Sequence, residues 1–238
     1  MSGSNRTRQT LDLFVFVCLF WKTGFHFSLT NSRLRPGRGR ESRPFNRIPF
    51  GSTDRNPAMT SDFSAAVAGR FTFPGTDISV NRIGYGAMQL AGPHAFGEPA
   101  DANTAKAVLR EALACGIDHI DTSDYYGPYV VNRLIREALH PYPQGLTIIT
   151  KIGARRNEQG AWLHSEDEDF LRKSVEDNLE RLDLPRIDIV NMRFESPDRK
   201  VEAPMRTMRK LQEEGLIGHI GISNVSRAML ERALDLAP

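Results

Sequence analysis

Residues 117–153, IDHIDTSDYYGPYVVNRLIREALHPYPQGLTIITKIG, contain a complete strand, helix and strand repeat. A short apolar run leads into a polar loop, and VVNRLIREALH then has the apolar spacing of a helix that Pro141 ends. LTIITKIG, at residues 146–153, is rich in β-branched side chains, which is typical of a strand buried on both faces. This stretch therefore predicts one βαβ unit with two parallel strands.

The same alternation continues on both sides of this unit. An earlier strand, VNRIGYGAMQL at residues 80–90, precedes the helical pattern ANTAKAVLREALACG at 102–116, whose apolar face includes Val108. Ser165 and Glu168 have the spacing of a capping box that opens the next helix. Two more pairs follow, with strands at 187–194 and 217–224 and helices at 201–215 and 226–237. The pattern predicts five βα units.

Parallel βα units close either into an open, doubly wound sheet or into an eight-stranded barrel. The first βα turn lacks the G-x-G-x-x-G fingerprint with an acidic residue about 20 positions later, which weakens the doubly wound alternative. Polar residues instead follow the predicted strand ends, where barrel enzymes place their catalytic groups. They are Asp121, Tyr126, Lys151, Arg193, Ser223 and Asn224. We therefore expect an α/β fold, the (β/α)8 TIM barrel. The five predicted units would be its first five, so the barrel is expected to be incomplete, since a full barrel takes about 250 residues.

Composition narrows the class of partner. The 238 residues include 31 Lys and Arg and 29 Asp and Glu, so the net charge is only +2. This balance favours neither a nucleic acid nor an anionic membrane as partner, and no oligomeric state is indicated. Two cysteines, Cys18 and Cys115, are too few for a disulfide framework, and six dispersed histidines show no zinc spacing. A reducing, cytoplasmic location and no metal are expected.

Charge is distributed unevenly along the chain. Residues 1–58 hold ten basic and three acidic residues, a net charge of +7, so the remainder carries −5. Their apolar run LDLFVFVCLFW, at residues 11–21, is too short to span a bilayer, and the Arg-rich and Pro-rich sequence after it is typical of disorder. We expect residues 1–58 to be a non-structural extension, which could be upstream sequence read in frame before a start at Met59. The alternative is a targeting segment. The domain prediction is residues 1–58 and 59–238.

Asp121, Tyr126 and Lys151 together carry a specific chemistry. A tyrosine hydroxyl releases its proton poorly at neutral pH, but a nearby ammonium stabilises the phenolate. A carboxylate paired with the lysine holds the ammonium in place and keeps it charged. The three side chains form a general acid that can protonate a carbonyl oxygen. Because no side chain donates hydride, a nicotinamide cofactor is implied.

The order G-x-G-A-M, I-D-T-x-x-x-Y-G, T-K-x-G, D-x-V-N-x-R and G-I-S-N resembles the aldo-keto reductases, NADPH-dependent reductases built on a (β/α)8 barrel. The resemblance covers residues 71–238. It implies that Tyr126 is the proton donor, that Lys151 is the cation beside the Tyr126 hydroxyl, and that Asp121 pairs with Lys151 and borders the cofactor. It further implies that Ser223 and Asn224 hold the nicotinamide carboxamide and that Met88 lies near the cofactor.

Arg193 stands where most of this family has a histidine that orients the substrate carbonyl. A guanidinium can polarise a carbonyl but cannot exchange a proton as histidine does. The motifs are most similar to the pyridoxal reductase branch, so the expected reaction is reduction of a small carbonyl compound, with pyridoxal as the specific substrate. The alternatives are an NADPH-binding regulatory barrel, an inactive truncated product and, for Arg193 alone, an ion pair with Glu195 or Asp188. We interpret Asp124, Tyr125, Arg155 and Arg156 as loop residues.

Overall fold

The computed structural model describes residues 64–237, so the predictions for residues 1–58 and for a start at Met59 lie outside the described residues. In chain order the strands are β1 (Arg70–Thr72), β2 (Ser79–Asn81), β3 (Tyr85–Gly86), β4 (His119–Asp121), β5 (Thr147–Ile152), β6 (Ala154–Arg156), β7 (Trp162–His164), β8 (Ile187–Arg193) and β9 (Ile217–Ser223). The helices are α1 (Ala102–Ala114), α2 (Val130–Leu139), α3 (Glu168–Leu182), α4 (Glu202–Glu213) and α5 (Arg227–Leu236).

The central sheet is parallel, and its strands lie side by side in chain order, β3, β4, β5, β8 and β9. Each strand is followed by a helix, and each helix contacts the next one along the chain, from α1 to α5. The helices therefore form one layer on one face of the sheet. A doubly wound sheet reverses its strand order and divides its helices between two faces. The arrangement confirms a parallel α/β fold wound in one direction, as in a barrel.

Two apolar clusters fill the space between sheet and helices. The first includes Leu134 and Ile135 of α2, packed with residues of α1, β4 and β5. The second includes Leu171 and Val175 of α3 and extends to β8, β9, α4 and α5. All four of these side chains are fully buried, as the helical spacing of apolar residues predicts. Within residues 64–237, no helix combines the length and apolar character needed to cross a bilayer.

A hairpin formed by β1 and β2 caps the amino ends of the parallel strands. Asp118, which directly precedes β4, accepts hydrogen bonds from the Arg70 guanidinium at 3.1 Å and from the Asn81 backbone N–H at 2.9 Å. The Asn81 side chain also donates to the Gly116 carbonyl at 2.7 Å. These bonds connect the hairpin to β4, at the end of the sheet opposite the polar residues that follow the strands.

Two local predictions are wrong. Ser165 and Glu168 form no capping box: α3 begins after Asp167, and the Ser165 hydroxyl instead hydrogen-bonds the Asp167 carboxylate at 2.9 Å. The Ser165 side chain is thereby held within its own turn. Val108 of α1 is 40% exposed, and the buried residues of this helix are Ala105 and Leu109.

Candidate active site

Lys151 is the centre of a polar cluster at the carboxyl ends of β4 and β5. Its Nζ lies 2.6 Å from each carboxylate oxygen of Asp121, and the two side chains are 14% and 16% exposed. The strands are adjacent and parallel, with Asp121 opposite Ile149, so their carboxyl ends meet at the same edge of the sheet. A largely buried, two-oxygen ion pair fixes the position of the ammonium.

Tyr126 lies in the loop that follows β4. Its hydroxyl oxygen is 3.2 Å from Lys151 Nζ, and its ring is buried. Gly127 follows with a φ of +91°, and a Cβ at this position would lie 2.5 Å from the Cβ of Val130. Only glycine therefore allows the chain to turn directly from Tyr126 into α2. The sheet edge and this turn together bring Asp121, Tyr126 and Lys151 into contact, as their spacing in the sequence predicts.

A buried polar network supports these strand ends from the helix side. The Thr122 hydroxyl donates to Asn132 Oδ1 at 2.8 Å, and Asn132 Nδ2 donates to Asn178 Oδ1 at 2.8 Å. Asn178 Oδ1 also accepts from the Thr150 hydroxyl at 2.7 Å, and its Nδ2 donates to the Ser174 carbonyl at 2.8 Å. Thr122 directly follows Asp121 and Thr150 directly precedes Lys151, so the network joins both strands to α2 and α3 next to the ion pair. Sequence reasoning missed it.

Arg193 and Ser223 occupy the carboxyl ends of β8 and β9 and are direct register partners. Arg193 Nε and Ser223 Oγ are buried and have no hydrogen-bond partner among the described residues. Arg193 forms no ion pair within residues 64–237: Glu195 pairs with Arg199 at 3.8 Å, so the ion-pair alternative is not what the structure contains. Buried polar atoms in proteins are nearly always satisfied, so both atoms suit polar groups of a ligand.

Met88 and Asn224 flank this region in different ways. Met88 lies in a short 3₁₀ turn after β3, half-buried against the cluster that contains Tyr126. Asn224 has a φ of +60°, and its Nδ2 donates to the carbonyls of Phe194 and Glu195 at 2.7 and 3.0 Å. The Asn224 amide nitrogen thus secures the loop after β8.

Tyr125 and Asp124, interpreted from the sequence as loop residues, are buried beside Tyr126. Tyr125 is 3% exposed, and its ring lies edge-on to Tyr126 and Trp162 at centroid distances of 5.3 and 5.2 Å. Asp124 is 5% exposed, and burial raises the pKa of its carboxyl to about 7, although the Ser123 hydroxyl and the Arg181 charge act in the opposite direction. No local pattern marks either residue as buried.

The hairpin of β6 and β7 borders the same region, and the sequence analysis did not predict it. The Arg156 guanidinium lies over the rings of Trp162 and Phe96, at 4.4 and 5.3 Å from their centroids, and its Nε donates to the Gly160 carbonyl at 2.7 Å. Arg155 lies over the Phe170 ring at 5.4 Å. Both arginines belong to β6 and lie over aromatic rings, although Arg155 remains exposed.

One residue at this edge has a group that fits a nicotinamide cofactor. Ser223 Oγ is a buried hydroxyl without a partner, able to bond a polar group at the carboxyl edge of the sheet. The part of the chain that the structure describes contains no group of three or more His, Cys, Asp or Glu side chains arranged to hold a metal ion. The polar cluster thus combines a phenol hydroxyl, an ammonium and a hydroxyl without a partner at one edge of the sheet.

Residues 82–237 match the family described as the aldo/keto reductase family. The pyridoxine 4-dehydrogenase of Escherichia coli (strain K12) is 51% identical over 165 residues, which cover 67% of this chain and 58% of that protein. Two solved structures are each 26% identical to this chain. An aldo-keto reductase from Bacillus halodurans matches with a TM-score of 0.61 and covers 70% of this chain and 53% of its own. The glycerol dehydrogenase from Gluconobacter oxydans matches with a TM-score of 0.64 and covers 72% of this chain and 53% of its own. This chain thus spans 58% of the length of the Escherichia coli relative. By its sequence motifs, its parallel sheet and these relatives, the chain belongs to the aldo/keto reductase family.

Proposed function

We propose that the whole protein is an NADPH-dependent reductase that converts a small aldehyde or ketone to the alcohol, with pyridoxal, reduced to pyridoxine, as its substrate. The observation that supports this most directly is the contact of Lys151 Nζ with both Asp121 and the Tyr126 hydroxyl. An NADPH-binding regulatory barrel has no use for a proton donor with its own cation, so the geometry favours the enzyme.

The reaction needs one hydride and one proton. The reduced nicotinamide, when bound, supplies the hydride to the carbonyl carbon. Tyr126 donates its hydroxyl proton to the carbonyl oxygen, and Lys151, at 3.2 Å, stabilises the phenolate that remains. Asp121 keeps the lysine charged and oriented. Arg193 polarises the carbonyl as a fixed cation, so Tyr126 is the acid.

The cofactor is held by residues that this chain already contains. Ser223 Oγ and the side-chain oxygen of Asn224 would hold the nicotinamide carboxamide, and Met88 and Asp121 would lie on the nicotinamide side of the site. The unpartnered Ser223 hydroxyl supports this assignment. The cofactor proposed is NADPH in preference to NADH. We also propose a cytoplasmic location, which the scarcity of cysteines favours; among the described residues Cys115 is a free thiol.

We further infer that the five βα units are the first five of an eight-unit barrel. The chain-order sheet, the single helix layer and the share of the Escherichia coli relative that is matched support this inference. A suitable protein for activity tests is the present chain followed by the remaining C-terminal units of that relative, joined at the end of the matched region. We call this chimera the barrel-completed chain.

The decisive experiment follows NADPH oxidation by the barrel-completed chain with pyridoxal, under saturating cofactor. We expect pyridoxal reduction, and Tyr126→Phe should lower kcat by about 100-fold or more because general-acid catalysis is lost, with NADPH affinity nearly unchanged. Tyr142→Phe is the matched control, since Tyr142 donates to the Leu182 carbonyl away from the site. NADPH binding without reduction of any aldehyde would indicate the regulatory alternative. Unchanged kcat in Tyr126→Phe would show that the proton donor is wrong.

A further inference from the structure

The ammonium of Lys151 is bonded to the backbone of the neighbouring strand end as well as to side chains. Besides its contacts with Asp121 and Tyr126, Nζ donates to the backbone carbonyl of Thr122 at 3.2 Å. Thr122 extends the pairing of β4 with β5, since its N–H donates to the Ile149 carbonyl at 2.8 Å. The position of the Thr122 backbone therefore bears directly on the position of the ammonium.

Thr122 is also bonded to the helix layer, through its side chain. Its hydroxyl donates to Asn132 of α2, and the amide nitrogen of Asn132 donates to Asn178 of α3, at 2.8 Å each. The Thr150 hydroxyl donates to the same Asn178 oxygen at 2.7 Å. Because Thr150 directly precedes Lys151, these bonds close a ring that begins at the Lys151 backbone and returns to its Nζ through the Thr122 carbonyl.

The four side chains of this network have no exposed surface. They are Thr122, Asn132, Thr150 and Asn178. Asn178 Oδ1 accepts two hydrogen bonds, and its Nδ2 donates to the Ser174 carbonyl at 2.8 Å, so this amide cannot turn over without losing its partners. Buried polar groups are costly unless they are paired, and these are paired in one way only. The network thus specifies one relative position of β4, β5, α2 and α3.

We propose that this network is a positioning device for the proton donor, which holds the ammonium of Lys151 at contact distance from the Tyr126 hydroxyl. A lysine ammonium sits on a flexible four-carbon stem, so fixing it requires restraints at both ends of the side chain. The network supplies one restraint through Thr150 and the other through the Thr122 carbonyl. This inference rests on the carbonyl reduction proposed above and assigns positioning residues to its acid.

Two substitutions of Thr122 separate positioning from packing. Valine keeps the shape of threonine without the hydroxyl, whereas serine keeps the hydroxyl without the methyl group. In the barrel-completed chain with NADPH and pyridoxal, we expect Thr122→Val to lower kcat about tenfold, the effect of one hydrogen bond to a buried group, while KM changes by less than about twofold. Thr122→Ser should keep the kcat of the wild type, although loss of the methyl group lowers its Tm.

Thr207→Val is the matched control. Thr207 of α4 is also buried, and its hydroxyl donates to the Ala203 carbonyl of its own helix at 3.5 Å. The same substitution there should leave kcat unchanged. In a Tyr126→Phe background, Thr122→Val should have no further effect on kcat, because residues that act through one step are not additive.

A measurement without substrate or cofactor tests the same placement. Nuclear magnetic resonance of ¹³Cζ-labelled tyrosine, assigned with Tyr126→Phe, follows the ionisation of the Tyr126 hydroxyl as the pH is raised. Since a nearby ammonium stabilises the phenolate, Thr122→Val should move this ionisation to a pH about one unit higher, a tenfold change in proton affinity. Thr122→Ser and Thr207→Val should not move it. The other titratable groups around this hydroxyl, Asp121 and Tyr125, are the same in all three variants.

The outcomes separate this inference from the proposed function. Wild-type kcat or an unmoved tyrosine ionisation in Thr122→Val overturns the inference while carbonyl reduction stands. An equal loss of kcat in Thr122→Ser or Thr207→Val, or full additivity with Tyr126→Phe, overturns it in the same way. Absence of pyridoxal reduction in the wild type, with the ionisation moved in Thr122→Val, overturns the proposed function and leaves the positioning of Lys151 intact. Absence of both overturns both.

A second variant keeps the inference testable if Thr122→Val does not fold. Thr150→Val removes the other hydroxyl of the network and leaves the Thr122 hydroxyl bonded to Asn132. We expect the same fall in kcat and the same change in the tyrosine ionisation, with Thr150→Ser as its conservative counterpart. Wild-type behaviour of Thr150→Val in both measurements overturns the inference.

Discussion

At the residue scale, the chemistry of the site depends on where Lys151 Nζ is held. It contacts both oxygens of Asp121 and the hydroxyl of Tyr126, and it also donates to the Thr122 carbonyl at 3.2 Å. Four acceptors around one ammonium leave it little freedom to move. The phenol therefore faces a fixed positive charge before any substrate arrives, which is the preorganisation that a general acid needs.

Arg193 should contribute to the transition state of the proposed reaction. In the barrel-completed chain, we expect Arg193→Ala to lower kcat by about 100-fold, the effect of removing one donor to a developing oxyanion, and high substrate concentration should not rescue it. Arg199→Ala, which removes an exposed ion pair with Glu166, is the control. A higher KM with unchanged kcat would mean that Arg193 only binds the substrate, and wild-type values of both would remove it from the reaction.

Asp124 should make stability depend on pH. Because burial raises its pKa to about 7 from an unfolded value near 3.8, the folded state binds the proton more tightly, so stability is highest below the unfolded pKa and falls as pH rises through about 7. Each tenfold difference in proton affinity corresponds to about 1.4 kcal/mol. Asp124→Asn should therefore show a higher Tm relative to wild type at pH 8 than at pH 4. A Tm difference that is the same at both pH values would contradict a buried, protonated carboxyl.

At the element scale, the Thr122, Asn132, Asn178 and Thr150 network holds β4 and β5 against α2 and α3. Asn178 is its central member, because its Oδ1 accepts from two side chains. Such a network stabilises only when every member is satisfied. It lies directly behind Asp121 and Lys151, so the helix layer helps to set the position of the ion pair.

Asn178→Ala should leave the Thr150 hydroxyl and the Asn132 amide buried without their shared acceptor. We expect the free energy of unfolding to fall by about 2 to 4 kcal/mol, since each unsatisfied buried group costs about 1 to 3 kcal/mol. Urea denaturation of the barrel-completed chain measures this change. Glu176→Ala, on the exposed face of the same helix, should have little effect. Equal losses in the two variants would mean that the network does not stabilise the packing of α2 and α3.

At the scale of the whole molecule, the outer edge of β9 has no strand partner among the described residues. Ile220 and Ile222 on this strand are only partly buried. A barrel closes when its last strand pairs with its first, and an open edge with exposed apolar side chains favours aggregation. If the sheet is part of a closed barrel, as proposed, the edge of β9 is where a further strand would pair.

The 238-residue chain by itself should therefore melt broadly, aggregate readily and show no NADPH-dependent reduction of pyridoxal. The barrel-completed chain should melt in one cooperative transition and reduce pyridoxal. Removing residues 1–58 should not restore activity. Circular dichroism, size-exclusion chromatography and the NADPH assay measure these properties. A soluble monomer of the 238-residue chain with a sharp transition and measurable pyridoxal reduction would contradict the inference of an incomplete barrel.

The sequence by itself determined the order of the βα units and the grouping of Asp121 and Tyr126 around Lys151. The β-branched composition of LTIITKIG and the apolar periodicity of the helix after Tyr126 are local properties, and parallel strands bring their carboxyl ends to one edge wherever they pair. Only the tertiary structure decided that Asp124 and Tyr125 are buried, that Arg193 has no ion-pair partner within residues 64–237, and that Arg156 packs on Trp162. The physical reason is that burial of a loop side chain depends on contacts with distant segments, here the β6 and β7 hairpin and the helix layer, which no local pattern encodes.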